Sequence, residues 1–163
     1  MTIKVYNTLT KQKEEIQPIE PPRINMYVCG ITPYDETHLG HARAYITFDV
    51  IRRYLEKVGY QVFYVQNVTD VDDKIINKAQ QLITESGDVD PKEKCKEIVE
   101  KYLAAYFAVM DKLNVKRADL YPRATEHIPE MVAWIAALVA KDFAYVVDDF
   151  RSLYGESDGA VLQ

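Results

Sequence analysis

The hydrophobic pattern of the chain predicts an α/β fold with parallel strands, and three observations carry that reading. Met26-Tyr27-Val28 is a short apolar run that Gly30 and Pro33 break, the pattern of a short buried strand. From about Ala42, the residues Tyr45, Phe48, Ile51, Leu55 and Val58 recur at spacings of three and four, which is the period of a helix. Gly59 then fits a helix stop, and Tyr60-Gln61-Val62-Phe63-Tyr64-Val65 has the β-branched and aromatic content of a second strand. Strand, helix and strand over about 40 residues make a βαβ unit, which calls for parallel strands and a right-handed crossover.

The other elements follow in order. Residues 3–7 alternate as a short strand does, and Lys11 to Glu20 is polar and reads as a turn and return. Thr69 and Asp72 have capping-box spacing and would open a helix through about Ile83, which Gly87-Asp88-Val89-Asp90-Pro91 interrupts. Cys95, Ile98, Tyr102, Tyr106, Val109 and Leu113 line one face of a long helix. Pro122 to Thr125 reads as a connection, with His127 at the entrance of the helix that follows. Pro129 suits that helix's first turn, and Val132, Ile135 and Leu138 form its apolar stripe. Phe143 to Val147 has the composition of a further strand, and Asp148 to Gln163 shows no period and reads as a loop-like tail. The expected organisation is a Rossmann-like half at 1–85, a helical insertion at 86–142, and a strand with its tail at 143–163.

Composition narrows the function classes. The chain has 163 residues, enough for one domain with its own core, and is 48% hydrophobic and 28% charged. No apolar run reaches bilayer length and the N-terminus has no signal-peptide core, so no membrane association and a cytoplasmic location are expected. Cys29 and Cys95 lie in different contexts and read as reduced thiols, not a disulfide framework. A formal net charge of −5 gives no global footprint for nucleic acid. Arg43, Arg52, Arg53 and Lys57 share one helix and read as a solvated face.

The chemistry concentrates where the first strand hands over to the first helix. His38-Leu39-Gly40-His41 falls on the helix's first turn. Unpaired backbone N–H groups and the positive end of the helix dipole favour an anion there. Two imidazoles can add N–H donors, and Gly40 leaves room for a close approach to the backbone. The same histidines could instead cap and pack as ordinary helix-entrance residues. Cys29, at the strand end, is either a buried structural thiol or a soft metal ligand. Thr69 lies at the end of the second strand, where ligands bind in parallel sheets, so it can share a cleft with Cys29. Asp70, Asp72 and Asp73 resemble a metal cluster, but carboxylates at a helix N-terminus are favourable without one and read as capping.

Cys29-Gly30-Ile31-Thr32-Pro33-Tyr34-Asp35 followed by His38-Leu39-Gly40-His41 resembles the first signature of class I aminoacyl-tRNA synthetases, in its cysteinyl-tRNA synthetase form. Tyr64 to Lys74 and Tyr121 to Pro129 are similar to later blocks of that family, in the same order. The resemblance implies the first half of a class I synthetase Rossmann-like (HUP-type) parallel-sheet domain with a helical insertion. It implies ATP as substrate, activation of L-cysteine to cysteinyl adenylate and ligation to tRNA(Cys). His38 and His41 would be the catalytic pair. His38, Gly40 and His41 would contact ATP, Gly30 and Thr32 would hold the amino acid, and Thr69 counts with them as a binding residue. Cys29 would be one ligand of a zinc that grips the substrate sulfur.

Other parts of the family pattern are not found in this sequence. It shows no lysine-rich KMSKS loop, no further zinc ligands of the family type and no helical tRNA-reading domains. Cys95 reads as core, so zinc is not expected of this chain alone, and the chain reads as the N-terminal catalytic portion, with incomplete activity. Two alternatives follow. One is a synthetase-derived ATP- or cysteine-binding module, or a split-enzyme half completed by another chain. The other is a cysteine ligase of the mycothiol pathway, which shares the first two blocks.

Overall fold

The computed structural model describes residues 3–86 and 90–146. They fall into two compact units, the first within Met1–Cys29, Thr37–Gln66 and Phe107–Tyr121, the second within Gly30–Glu36, Asn67–Tyr106 and Pro122–Gln163. The elements in chain order are β1 (Lys4–Asn7), β2 (Gln12–Glu15), β3 (Arg23–Ile31), α1 (Leu39–Lys57), β4 (Gln61–Val68), α2 (Asp73–Ser86), α3 (Pro91–Lys112), a 3-10 turn (Ala124–His127) and α4 (Ile128–Ala140). No helix of the described residues is long and apolar enough to cross a membrane.

β3 and β4 form a two-stranded parallel sheet, as the βαβ pattern requires. In the first unit Gln61 N–H donates to the Pro22 carbonyl at 3.0 Å, and in the second Thr69 N–H donates to Ile31 at 2.9 Å. β3 alternates: Val28 is buried while Tyr27 is 64% exposed, so the apolar run is half-buried and not interior throughout. β4 also carries a line of pairing that the sequence hides. Leu120 bridges Val65 and Arg123 bridges Val68, both in parallel and as isolated bridges, so the segment entering the expected connection lies beside β4. Pro122 and the charged residues around it mask that segment, because a single row of ladder bonds needs no alternating pattern.

In the first unit, β1 and β2 pair antiparallel from Lys4 opposite Glu15 to Asn7 opposite Gln12. This accounts for the strand and return expected there. α1 ends at Lys57, and Gly59 adopts φ 102°, the left-handed geometry that favours glycine after a helix. The buried face of α1 is Tyr45, Asp49, Arg52 and Leu55, so two charged residues sit inside the stripe drawn from apolar spacing.

Arg52 corrects the expectation of a solvated basic face. It is 7% exposed. Its guanidinium donates to Glu56 at 3.1 Å, to the Arg117 carbonyl at 2.7 Å and to both oxygens of Asp119, and it lies 5.3 Å from the Tyr64 ring centroid. Asp119 in turn accepts from the Tyr64 backbone N–H at 2.7 Å. The planar five-donor fork of arginine makes such burial tolerable, because each partner finds its own N–H. Burial, then Tyr121, push the Tyr64 phenol up to about 12.

The second unit is built around Ile75, Ala79, Ile98, Val99 and Tyr102, with Tyr34, Leu82 and Cys95 packed against them. Cys95 is therefore core, as its helical spacing suggests, and burial pushes its thiol up. The cap of α2 differs from expectation. The chain stays non-helical through Asp72, so it is Asp72 that accepts from Lys74 N–H at 2.9 Å, and Thr69 lies too far upstream to cap. Asp70 has a separate role: its carboxylate accepts from both the backbone N–H and the hydroxyl of Thr125, at 2.9 and 2.6 Å, which ties down the 3-10 turn.

His127 stands at the α4 entrance and Pro129 in its first turn, as read from sequence. The α4 stripe, however, buries nothing among the described residues, and Trp134 is 73% exposed. Phe143 to Val146 form no strand among the described residues; the Phe143 N–H instead closes the end of α4 by donating to the Leu138 carbonyl at 3.0 Å. Val147, the tail from Asp148 and the interruption at 87–89 lie outside the described residues.

Replacing Arg52 by alanine strands the Asp119 carboxylate and the Arg117 carbonyl. Because Asp119 is half open, the expected loss is about 2–3 kcal/mol, below the range for a fully buried pair. Urea unfolding of Arg52→Ala against wild type measures it. Arg52→Lys should recover only part, having no fork to span the three partners.

Candidate active site

The candidate residues divide between the units. Cys29, His38, Gly40 and His41 belong to the first; Gly30, Thr32 and Thr69 belong to the second.

In the first unit, His38 is the N-cap of α1, extended at φ −116° and ψ 172°. Its Nδ1 accepts from Gly40 N–H at 3.1 Å. His41 Nδ1 accepts in return from His38 N–H at 3.4 Å. The two side chains thus complete a capping box with imidazoles in place of the usual hydroxyl and carboxylate. Their rings stack, with centroids 3.9 Å apart and planes 16° from parallel.

This geometry joins the two readings of the histidines. An Nδ1 that accepts a backbone proton must carry a lone pair, so in each neutral ring the proton resides on Nε2. The helix is capped through one nitrogen and the other remains a donor. Gly40 has a more local purpose than ligand approach: a Cβ there would lie 2.9 Å from His38 Cε1, so the space is taken by the capping ring. Burial, followed by the neighbouring His38, lowers the His41 pKa and favours the neutral, capping form.

Tyr45 continues the cluster along α1, its ring centroid 6.4 Å from that of His41. Its hydroxyl donates to the Cys29 carbonyl at 3.5 Å, and burial raises its pKa above that of an ordinary tyrosine, with the Cys29 charge adding to the effect. Cys29 itself is exposed, unlike a structural core thiol. Among the described residues no group of three or more His, Cys, Asp or Glu is placed to hold a metal ion. One thiol does not make a zinc site, and no chemical step is assigned to zinc.

In the second unit, Gly30 and Thr69 are linked through a residue that the sequence reading passed over. Asn67 Oδ1 accepts from Gly30 N–H at 2.7 Å, and Asn67 Nδ2 donates to Thr69 Oγ1 at 3.2 Å. β3 and β4 approach so closely here that a Cβ on Gly30 would lie 1.5 Å from the Asn67 carbonyl oxygen. Glycine is therefore obligatory at position 30 for packing reasons alone. Thr32 is half-buried, and its carbonyl accepts from Tyr34 N–H at 3.0 Å in the turn after β3. Tyr34 packs on the core, and Asp35 pairs with Lys78 at 3.3 Å. An asparagine near a strand end carries no sequence signal for this bridge, since only the pairing of β3 with β4 brings Gly30 beside it.

A family model described as the catalytic domain of class I (C) tRNA synthetases matches residues 15–160. The chain belongs to that family. Among curated relatives, it is 54% identical over 149 residues to a protein named Cysteine--tRNA ligase from Thermococcus onnurineus, covering 91% of this chain and 29% of the relative. Proteins of the same name from Pyrobaculum aerophilum and Pyrococcus horikoshii are 51% and 52% identical, covering 96% and 100% of this chain and 32% and 34% of their own lengths. The chain thus spans about a third of the relatives it matches.

Two substitutions separate capping from ligand contact. His38→Asn keeps a good N-cap and His41→Gln keeps the capping-box acceptor, while each removes an imidazole Nε2 donor. Both should melt within about 2 °C of wild type, whereas His38→Ala should lose about 1 kcal/mol of cap. The lowered His41 pKa also sets a sign. The unfolded chain binds the proton more readily, so His41's contribution is complete above its unfolded pKa of about 6.5 and is lost as pH falls through the lower folded value. Thermal midpoints taken from pH 7.5 to 5 should fall, and His41→Gln should flatten that slope.

Proposed function

We propose that this chain uses ATP to activate L-cysteine to cysteinyl adenylate, as the catalytic part of a cysteine–tRNA ligase whose product is cysteinyl-tRNA(Cys). Membership of the synthetase family and the name shared by its relatives support the reaction class. The observation that carries the proposal is the reciprocal histidine box at the entrance of α1. It leaves two Nε2–H donors at the positive end of the α1 dipole, an arrangement suited to a phosphate that gains negative charge as a carboxylate attacks it.

In this reading, His38 and His41 stabilise the reacting phosphate by hydrogen bonding and shuttle no proton. Gly40 allows the His38 ring to lie flat against the backbone. Gly30, Thr32 and Thr69 hold the cysteine or its adenylate, and Cys29 enters as a single exposed thiol. Preorganisation is the physical gain, because the rings are already fixed by the cap before ATP arrives and little reorganisation accompanies the reaction.

Cysteine-dependent exchange of pyrophosphate into ATP tests the proposal directly. The wild-type chain should exchange, and His38→Asn and His41→Gln should each lower the rate by about 10²–10³ with the fold intact. ATP binding without cysteine-dependent exchange would point to a binding module. Unchanged exchange in both variants would make the histidines structural caps only.

A further inference from the structure

The Asn67 amide is committed at both ends. Its oxygen receives the Gly30 N–H at 2.7 Å and its nitrogen donates to Thr69 Oγ1 at 3.2 Å. Those two contacts fix which end is oxygen and which is nitrogen, since the flipped amide would set donor against donor at Gly30. Thr69 is meanwhile held at the sheet end by its own N–H, which donates to Ile31. A hydroxyl that accepts from an amide keeps its own proton for another direction.

We propose that Asn67 is a positioning residue that sets the polarity of the Thr69 hydroxyl, making it a donor toward the ligand. The inference rests on the proposed cysteine site and narrows it. The group that the Thr69 proton meets is then an acceptor, a carboxylate oxygen of cysteine or the carbonyl oxygen of its adenylate. The side chain also explains why the strands close so tightly at Gly30: the Asn67 oxygen supplies an acceptor for a backbone donor at the point where the strands crowd together.

Aspartate is the discriminating substitution. Asn67→Asp keeps the size and still accepts from Gly30, but its second oxygen accepts the Thr69 proton and so reverses the hydroxyl's polarity. The probe is 5′-O-[N-(L-cysteinyl)sulfamoyl]adenosine, a stable mimic of cysteinyl adenylate, titrated calorimetrically at pH 7.5. Asn67→Asp should weaken binding about tenfold, the worth of one hydrogen bond, and Thr69→Val by a similar factor. The double variant should be no weaker than Thr69→Val, a coupling that a merely structural asparagine would not produce.

Wild-type-like binding by Asn67→Asp, or additive losses in the double variant, would overturn the inference and leave the proposed site standing. No binding by the wild-type chain would overturn both. Should Asn67→Asp fail to fold, the wild-type amide decides: one Nδ2 proton protected from exchange with solvent supports the bridge, and exchange of both at the rate of a free asparagine amide overturns it.

Discussion

The first unit depends on one buried guanidinium. Arg52 reaches from the middle of α1 to Asp119 and the Arg117 carbonyl, while Asp119 grips the backbone of β4 at Tyr64. Helix, strand and the segment beside it are thereby fixed by polar bonds of defined direction, which apolar contact alone would not provide. The charges need their partners, because an unpaired ion in that position would be costly. A second pair, Arg53 with Asp49, repeats the device one step along the helix, and Asp49 also receives the Lys116 N–H at 3.1 Å. Through these bonds the middle of α1 is tied to β4 and to the segment from Asn114 to Asp119.

The second unit solves a different problem. Its strand ends must come together where a ligand would lie, yet close approach leaves backbone donors short of acceptors. Gly30 removes the side chain, and Asn67 supplies the acceptor. The turn after β3 is then anchored by Tyr34 on the apolar core and by Asp35 on Lys78. Backbone bonding from Glu36, with Lys78 adding to it, holds the Asp35 carboxyl below the usual carboxylate range.

Sequence pattern reached the elements whose faces are apolar and periodic. β3, α1, β4, α2 and α3 are all present, because period and turn residues report directly on burial. It failed where polar groups do the structural work. Arg52 and Asp49 look like surface residues until their partners more than sixty positions away are known. The parallel bridges at Leu120 and Arg123 carry no alternation, and the Phe143 run has strand composition but no strand beside it among the described residues. At the site, the signature residues were legible as residue types, while their geometry was not. That His38 and His41 cap each other, and that Asn67 joins Gly30 to Thr69, are facts of contact that no spacing encodes.

The histidine box also shows why capping and ligand binding need not compete. Structural and functional accounts of these residues would conflict if both required the same atom. An imidazole has two nitrogens at opposite sides of its ring, and the cap consumes only Nδ1. Holding that nitrogen as an acceptor determines the tautomer, so the structural role leaves Nε2–H as the donor that the proposed function uses. A hydroxyl or carboxylate cap would satisfy the helix equally well but would leave no second, oriented N–H to offer an anion. The stacking of the rings at 3.9 Å then keeps both donors on one turn of backbone, with their orientation settled by folding and not by the ligand.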